Sequence, residues 1–223
     1  MSEQTPFRVE VLVEAPRELV WRALTEPERI ARWFGWDYDG LESEIQYIFV
    51  DHVVQDPPRL LDLDDGEDRQ TIELVEDGPR TIVRVVRPGS LEAADWDDLY
   101  EDIREGWLTF LHQLRHYVER HFEEERRTIY LTGELLPERV LAELEAEVSG
   151  PVWHENRFQR AIAAGGEGDL LVSVHSKVQL DSAEPGSVAL TITSYGLDDA
   201  SYESMRRHWE AWWATRSAPT RSS

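Results

Sequence analysis

The sequence predicts an α+β fold in which a curved antiparallel sheet wraps around a long C-terminal helix, the whole unit being built twice in tandem. Three observations predict it. A strongly amphipathic stretch runs from Asp97 to Phe122, segments with a two-residue apolar period precede it, and a shorter version of the same order of elements follows it.

In the long stretch Ile103, Trp107, Phe110, Leu111, Leu114, Val118 and Phe122 recur at three- and four-residue steps, while Glu105, His112, His116 and Glu119 fall on the other side. That is the pattern of a helix with one buried face and one solvated face. Acidic residues crowd its first turns and Arg115, Arg120 and His121 its last, complementing the helix dipole.

Ahead of it, Phe7, Val9, Val11 and Val13 alternate with Arg8, Glu10 and Leu12 as in a half-buried strand. Pro16 suits a first helical position, and Leu19, Val20, Ala23 and Leu24 form the stripe of a short helix. Pro27 ends that helix and opens another through Ile30, Trp33 and Phe34, closed by Gly35. From Gly40 to Arg87 the period falls towards two: Ile45, Tyr47 and Phe49, then Ile72 and Leu74, then Thr81, Val83 and Val85 read as strands. Glu76-Asp77-Gly78-Pro79 makes the last two a hairpin, and Pro57-Pro58 starts an edge or bent strand at Arg59-Leu60-Leu61.

After the charged junction Glu123 to Arg127 the order repeats. Thr128 to Gly133 reads as a strand, and Pro137-Glu138-Arg139-Val140-Leu141-Ala142 mirrors Pro16-Arg17-Glu18-Leu19-Val20-Trp21. Three strand segments follow at Val152 to Ile162, Leu170 to Leu180 and Ser187 to Tyr195, and Tyr202, Met205, Trp209, Trp212 and Trp213 echo Tyr100, Ile103, Trp107, Phe110 and Leu111. Leu19 and Val140 stand 121 residues apart but Trp107 and Trp209 only 102, so the second copy is about 19 residues shorter and lacks a counterpart of the Trp33 helix. The expected domains are 1–122 and a shortened repeat over 123–223.

Composition excludes several classes of function. A formal charge of −22, with Lys177 the one lysine among 23 basic residues, repels nucleic acid and anionic membranes. No apolar run approaches the roughly 20 residues a membrane span needs, and Met1 to Pro6 is too polar for a signal peptide, so a cytoplasmic protein is expected. Zero cysteines rule out disulfides, thiol catalysis and Cys-ligated metals.

The order strand, Val13-Glu14-Ala15-Pro16-Arg17-Glu18-Leu19-Val20-Trp21-Arg22-Ala23-Leu24-Thr25, then Trp33-Phe34, resembles the entry to the START/Bet v I-type helix-grip superfamily, also called SRPBCC. Gln55-Asp56-Pro57-Pro58-Arg59-Leu60-Leu61, the hairpin Leu74 to Val83, and Gly106-Trp107 with Leu111 and Leu114 resemble its AHSA-like branch, named for homology to an activator of the heat-shock protein 90 ATPase. The resemblance covers residues 7 to 122. The segment between the second short helix and Pro57 departs from it, being acidic and lacking a glycine-rich strand start.

What the resemblance implies is a cytoplasmic binding protein whose apolar or aromatic ligand sits between the sheet and the C-terminal helix of the first domain. Trp33, Phe34, Tyr47, Phe49, Leu74, Val83, Trp107, Phe110 and Leu114 are the expected lining; read as residues alone, the same side chains equally make a filled core. A polyketide-cyclase-like or natural-product self-protection enzyme is the alternative, and a chaperone-regulator or other protein-interaction role is a third. No catalytic set, cofactor or metal site is legible. His112 and His116 have the four-residue spacing of metal ligands but fall on the solvated face, while His52 and His121 stand where they can reach a pocket mouth. The acidic runs Asp62 to Asp68 and Asp95 to Asp102 read as solvated turns and helix-start charge. Arg84 shares the outward face of its strand with Ile82 and Val86, which implies that the sheet back is covered by the second domain or a second subunit; in the reversed register it would enter the cavity.

Overall fold

The computed structural model describes residues 7–64, 66, 69–87, 96–165 and 168–217. The chain divides into two compact units, Met1–Glu123 and Glu124–Ser223.

In the first unit β1 (Phe7–Val13) is followed by α1 (Arg17–Thr25), α2 (Pro27–Ile30), α3 (Leu41–Gln46), a π-helical turn (Tyr47–Asp51), β2 (Val53–Asp56), β3 (Leu60–Asp64), β4 (Arg69–Asp77), β5 (Arg80–Arg87) and α4 (Trp96–Arg120). The strands form one antiparallel sheet in the order β1-β5-β4-β3-β2. Alternation sets its faces: Val9, Val11, Val13, Leu61, Leu63, Ile72, Leu74, Thr81, Val83 and Val85 are buried, while their neighbours along each strand are half-buried or exposed. Thr81, placed among apolar groups, donates its hydroxyl to Ala15 O at 2.8 Å, which removes the cost of burying it.

Helix α4 packs on the buried face of this sheet and is anchored by polar groups at several levels. Gln113 Nε2 donates to the carbonyls of Trp33 and Gly35 at 2.8 and 3.0 Å, and the Glu14 amide donates to Glu119 Oε1 at 2.8 Å. At its C-terminus Arg29 lies over the Phe122 ring, 4.1 Å from the centroid, and donates to Tyr117 Oη and the Phe122 carbonyl. Trp33, fully buried, donates Nε1 to Ala23 O at 2.8 Å and so ties the segment after α2 to α1.

The second unit has β6 (Arg126–Leu135), α5 (Pro137–Glu147), β7 (Val152–Glu155), β8 (Gln159–Ala164), β9 (Leu170–Ser176), β10 (Gly186–Tyr195) and α6 (Asp199–Ser217). Its sheet order, β6-β10-β9-β8-β7, repeats that of the first unit strand for strand. In both, the first strand pairs with the last, a short helix led by proline follows the first strand, and a long helix ends the unit. The expected duplication is therefore visible as topology, and so is the trimming: α1 reaches β2 through α2, α3 and the π-helical turn, whereas α5 reaches β7 through Val148 to Pro151 alone. Trp209, Trp212 and Trp213 join Val172, Val174, Val188, Leu190 and Ile192 in the second core.

Four expectations are corrected. Ile45 to Phe49 is helical rather than a strand: Leu41, Ile45 and Phe49 also fit a four-residue step, Ile45 and Phe49 are buried, and Tyr47 is left 46% exposed. Val152 to Ile162 is a hairpin, β7 and β8, because Asn156 turns the chain by accepting the amides of Phe158 and Gln159. Pro57-Pro58 turns β2 into β3, so the edge strand is the one before the prolines. The fourth concerns α4. Its polar flank is not solvated: Glu105, Thr109, His112, Gln113 and His116 are all buried, with the His116 ring edge-on to His121 at 4.7 Å. Periodicity identifies which residues share a helix face, but not which faces other segments cover, and the Gln113 bonds show one such cover.

Candidate functional site

Between the sheet and α4 of the first unit lies a cavity of about 460 Å³, within the range of small-molecule sites. Helix α4 contributes Ile103, Gly106, Trp107 and Phe110, residues at i, i+3, i+4 and i+7 that necessarily share one face. Leu63 and Gln70, directly paired across β3 and β4, supply the sheet side, with Asp64 at the strand end. Phe34 enters from the segment after α2, and Glu44, Tyr47, Ile48 and His52 from α3 and the π-helical turn.

Phe34, Leu63 and Trp107 are nearly fully buried and form the depth of the cavity; Tyr47 and Asp64 are exposed at its mouth. Trp107 Nε1 donates to Gln70 Oε1 at 2.5 Å. His52 donates Nδ1–H to the Tyr47 carbonyl at 2.8 Å, which leaves Nε2 as the acceptor of the neutral ring, and its ring lies 4.1 Å from the Tyr47 ring at a tilt of 44°. The Tyr38 hydroxyl donates to Glu44 Oε2 at 2.6 Å, and this bond to a carboxylate pushes the phenol up to about 12.

Of the nine expected lining residues, Phe34, Tyr47, Trp107 and Phe110 border the cavity. Trp33 and Phe49 stand behind Phe34, with ring centroids 5.8 and 5.0 Å from it, and hold it in place. Leu74, Val83 and Leu114 are buried in the core and do not reach the cavity. Of the two histidines that the sequence brings near a pocket mouth, His52 borders the cavity and His121 packs on His116. Ile103 and Gly106 carry a sequence signal, the helical step back from Trp107 and Phe110. Glu44, Leu63, Asp64 and Gln70 carry none, because only the meeting of sheet, turn and helix brings them together.

A smaller recess of about 210 Å³ adjoins the cavity and shares Phe34, Glu44 and Phe110 with it; Gly35, Trp36 and Tyr38 complete its wall. Gly35 has φ +64°, and this left-handed residue lets the chain turn so that Phe34 and Trp36 both border the recess.

Arg84 points away from the cavity. It forms ion pairs with Glu10 on β1 and Glu73 on β4, its direct cross-strand neighbours, so the register with Thr81, Val83 and Val85 on the helix side is the one observed. Of the acidic runs, Asp62 pairs with Arg69 and Asp64 borders the cavity. Asp65, Glu67, Asp68 and Asp95, with the side chains of Asp97, Asp98, Glu101 and Asp102, lie outside the described residues.

The second unit has a cavity of about 680 Å³ in the corresponding place, bordered by Met205, His208 and Trp209 of α6 together with Glu147, Leu170 and Leu197. Met205 and Trp209 stand where Ile103 and Trp107 stand in α4, and His208, 2.9 Å from Glu147, takes the place of Gly106. No helix among the described residues is long and apolar enough to cross a membrane.

A single antiparallel sheet gripping a long helix, with an aromatic cavity between them, defines a helix-grip protein, and comparison with known proteins assigns the branch. Residues 14–119, most of the first unit, match the family model described as Activator of Hsp90 ATPase homolog 1-like protein, in agreement with the AHSA-like resemblance of the sequence. Among solved structures, a Staphylococcus saprophyticus protein is 20% identical with a TM-score of 0.41, aligned over 52% of this chain and 92% of its own. The Aha1 dimer from Colwellia psychrerythraea is 16% identical with a TM-score of 0.41, over 53% and 98%. A Mesorhizobium loti protein is 22% identical with a TM-score of 0.39, over 52% and 98%. No curated protein matches the chain.

Proposed function

We propose that the first unit binds a small molecule with an apolar or aromatic body, held between the sheet and α4. The observation that carries this reading is the cavity of about 460 Å³ walled by Phe34, Leu63, Ile103, Trp107 and Phe110. The space opens to solvent past exposed Tyr47 and Asp64 and ends on buried Phe34, Leu63 and Trp107, so a ligand can enter it. Gly106 supports it: a Cβ built there meets nothing within 4 Å, so the helix carries its smallest residue where it faces the cavity. Ligands of this kind are common in the fold. Native mass spectrometry of protein purified from its own source tests the reading by looking for a co-purifying small molecule. Only the ligand-free mass, together with no change in melting temperature across a panel of fused-ring aromatics, would overturn it.

One observation favours the enzymatic alternative: Glu44, His52 and Asp64, three ionisable groups, border the same cavity. With Nδ1 bonded to a carbonyl, His52 Nε2 is oriented to accept a proton from a bound molecule. Turnover of a bound compound that His52→Gln abolishes while leaving its affinity intact would establish this reading; unchanged turnover would dismiss it.

A further inference from the structure

We propose that the recess bordered by Phe34, Trp36, Tyr38, Phe110 and Glu44 is an aromatic cage for an alkylammonium group, and that the ligand is a cationic amphiphile with its apolar body in the main cavity. This rests on the ligand-binding reading of the first unit and narrows it to a chemical class.

Four aromatic side chains and one carboxylate border about 210 Å³, a space suited to a compact group. Aromatic faces carry a negative quadrupole, and cages of them select quaternary and alkylated ammonium ions, which shed water more readily than a bare ammonium. Phe34 and Phe110 meet at 5.0 Å and Trp36 and Phe110 at 6.4 Å, so the rings converge rather than scatter over the surface. Glu44 adds the formal charge. Its Oε2 is fixed by the Tyr38 hydroxyl at 2.6 Å, and Tyr38 itself borders the recess.

The surroundings have the same sign. Neither the recess nor the main cavity is bordered by an Arg or Lys among the described residues, whereas Asp64 stands at the cavity mouth. The nearest guanidinium to Asp64 in the ion pairs, that of Arg69, is held by both oxygens of Asp62 and stands 4.0 Å from Asp64. An anionic ligand would meet two carboxylates and no Arg or Lys side chain in the wall of either space among the described residues. The shared residues Phe34, Glu44 and Phe110 join recess to cavity, so one molecule reaches both.

Three probes with one body separate charge from shape: (naphthylmethyl)trimethylammonium, naphthylmethanol and naphthylacetate, titrated by calorimetry into the full-length protein. The ammonium is expected to bind about 10-fold tighter than the alcohol, the effect of one cation–π cage and one half-exposed carboxylate, and the acetate to bind more weakly than the alcohol. In the double variant Glu44→Gln, Trp36→Leu the preference for the ammonium over the alcohol is expected to fall to about 1-fold, with an unchanged circular-dichroism spectrum and a cooperative melting transition certifying the fold. Glu42→Gln, an exposed glutamate on the same helix, makes the same change in net charge as Glu44→Gln and is expected to leave the preference intact. Equal affinity for ammonium and alcohol, or a preference that survives the double variant, overturns the cage while leaving the cavity. A preference lost equally in Glu42→Gln overturns it by tracing the effect to net charge. Failure of all three probes to bind overturns the cage and the ligand-binding reading together.

Discussion

The indole nitrogen of Trp107 donates to Oε1 of Gln70 across 2.5 Å, so the helix that walls the cavity is tied by a polar bond to the strand on its other side. Trp107 is 6% exposed, and a buried indole N–H deprived of its acceptor bears a desolvation penalty. Gln70→Leu, similar in volume but without an acceptor, is expected to lower the unfolding free energy by about 1–2 kcal/mol. Urea denaturation checks this, and an unchanged midpoint would show that the bond adds nothing to stability.

Gly106 separates stability from binding. A glycine inside a helix costs about 0.5–1 kcal/mol relative to alanine, and here an added Cβ meets only open space. Gly106→Ala is therefore expected to raise the melting temperature with little effect on binding. Gly106→Phe extends into the same space and is expected to abolish binding of a naphthyl ligand while the protein stays folded. Retained affinity in the phenylalanine variant would place the ligand elsewhere.

These two residues also mark where sequence reasoning succeeds and where it stops. Alternation favours Thr81, Val83 and Val85 on the helix side of β5 and Ile82, Arg84 and Val86 on the other, and the Arg84 ion pairs to Glu10 and Glu73 exclude the reversed register. The closing helices were equally plain, since Ile103, Trp107 and Phe110 have the same spacing as Met205, Trp209 and Trp212. In Leu41 to Asp51 both periods fit: Ile45, Tyr47 and Phe49 suit a strand, and Leu41, Ile45 and Phe49 suit a helix. So short a run is decided by what it packs against. The resemblance implies aromatic walls, which the residues alone fit as well to a filled core, but neither reveals the division of labour in which Phe34 borders the space and Trp33 and Phe49 support it. Gln70, Glu44 and Asp64 were invisible because their role exists only where three elements converge. His112 and His116 are buried for a related reason, as a polar residue type is weak evidence of exposure on a helix covered on several sides.

Trp33 tests the division between wall and support. It is fully buried, donates to Ala23 O at 2.8 Å, and does not border the cavity. Trp33→Phe is expected to cost about 1–3 kcal/mol, combining lost volume with an orphaned carbonyl, and to change ligand affinity by less than about 2-fold below the shifted melting temperature. A large loss of affinity at full folding would show that Phe34 depends on the indole for its position.

The outer face of the sheet supplies a pH prediction. Arg84 bridges Glu10 and Glu73 on its two neighbouring strands, and its hydrogen bond, against the opposing effect of burial and with further help from Arg8, holds the Glu10 carboxyl below its ordinary value of 4.5. A depressed folded-state value means that the unfolded chain takes up the proton first as pH falls. The contribution of Glu10 is thus complete at neutral pH, present above about 4.5, and lost as pH falls through the lowered value. Arg84→Met removes the bridge, so its melting temperature is expected to fall below that of the native protein at pH 7, and the gap to narrow at pH 4 and pH 3 as the Glu10 carboxyl protonates. Scanning calorimetry at these three pH values in low salt measures the gap directly. Because the carboxylates are at least a third exposed, 150 mM salt is expected to shrink the gap at pH 7 as well. A gap that stays constant from pH 7 to pH 3 would mean that Arg84 acts through the packing of its methylenes between the strands rather than through its charge.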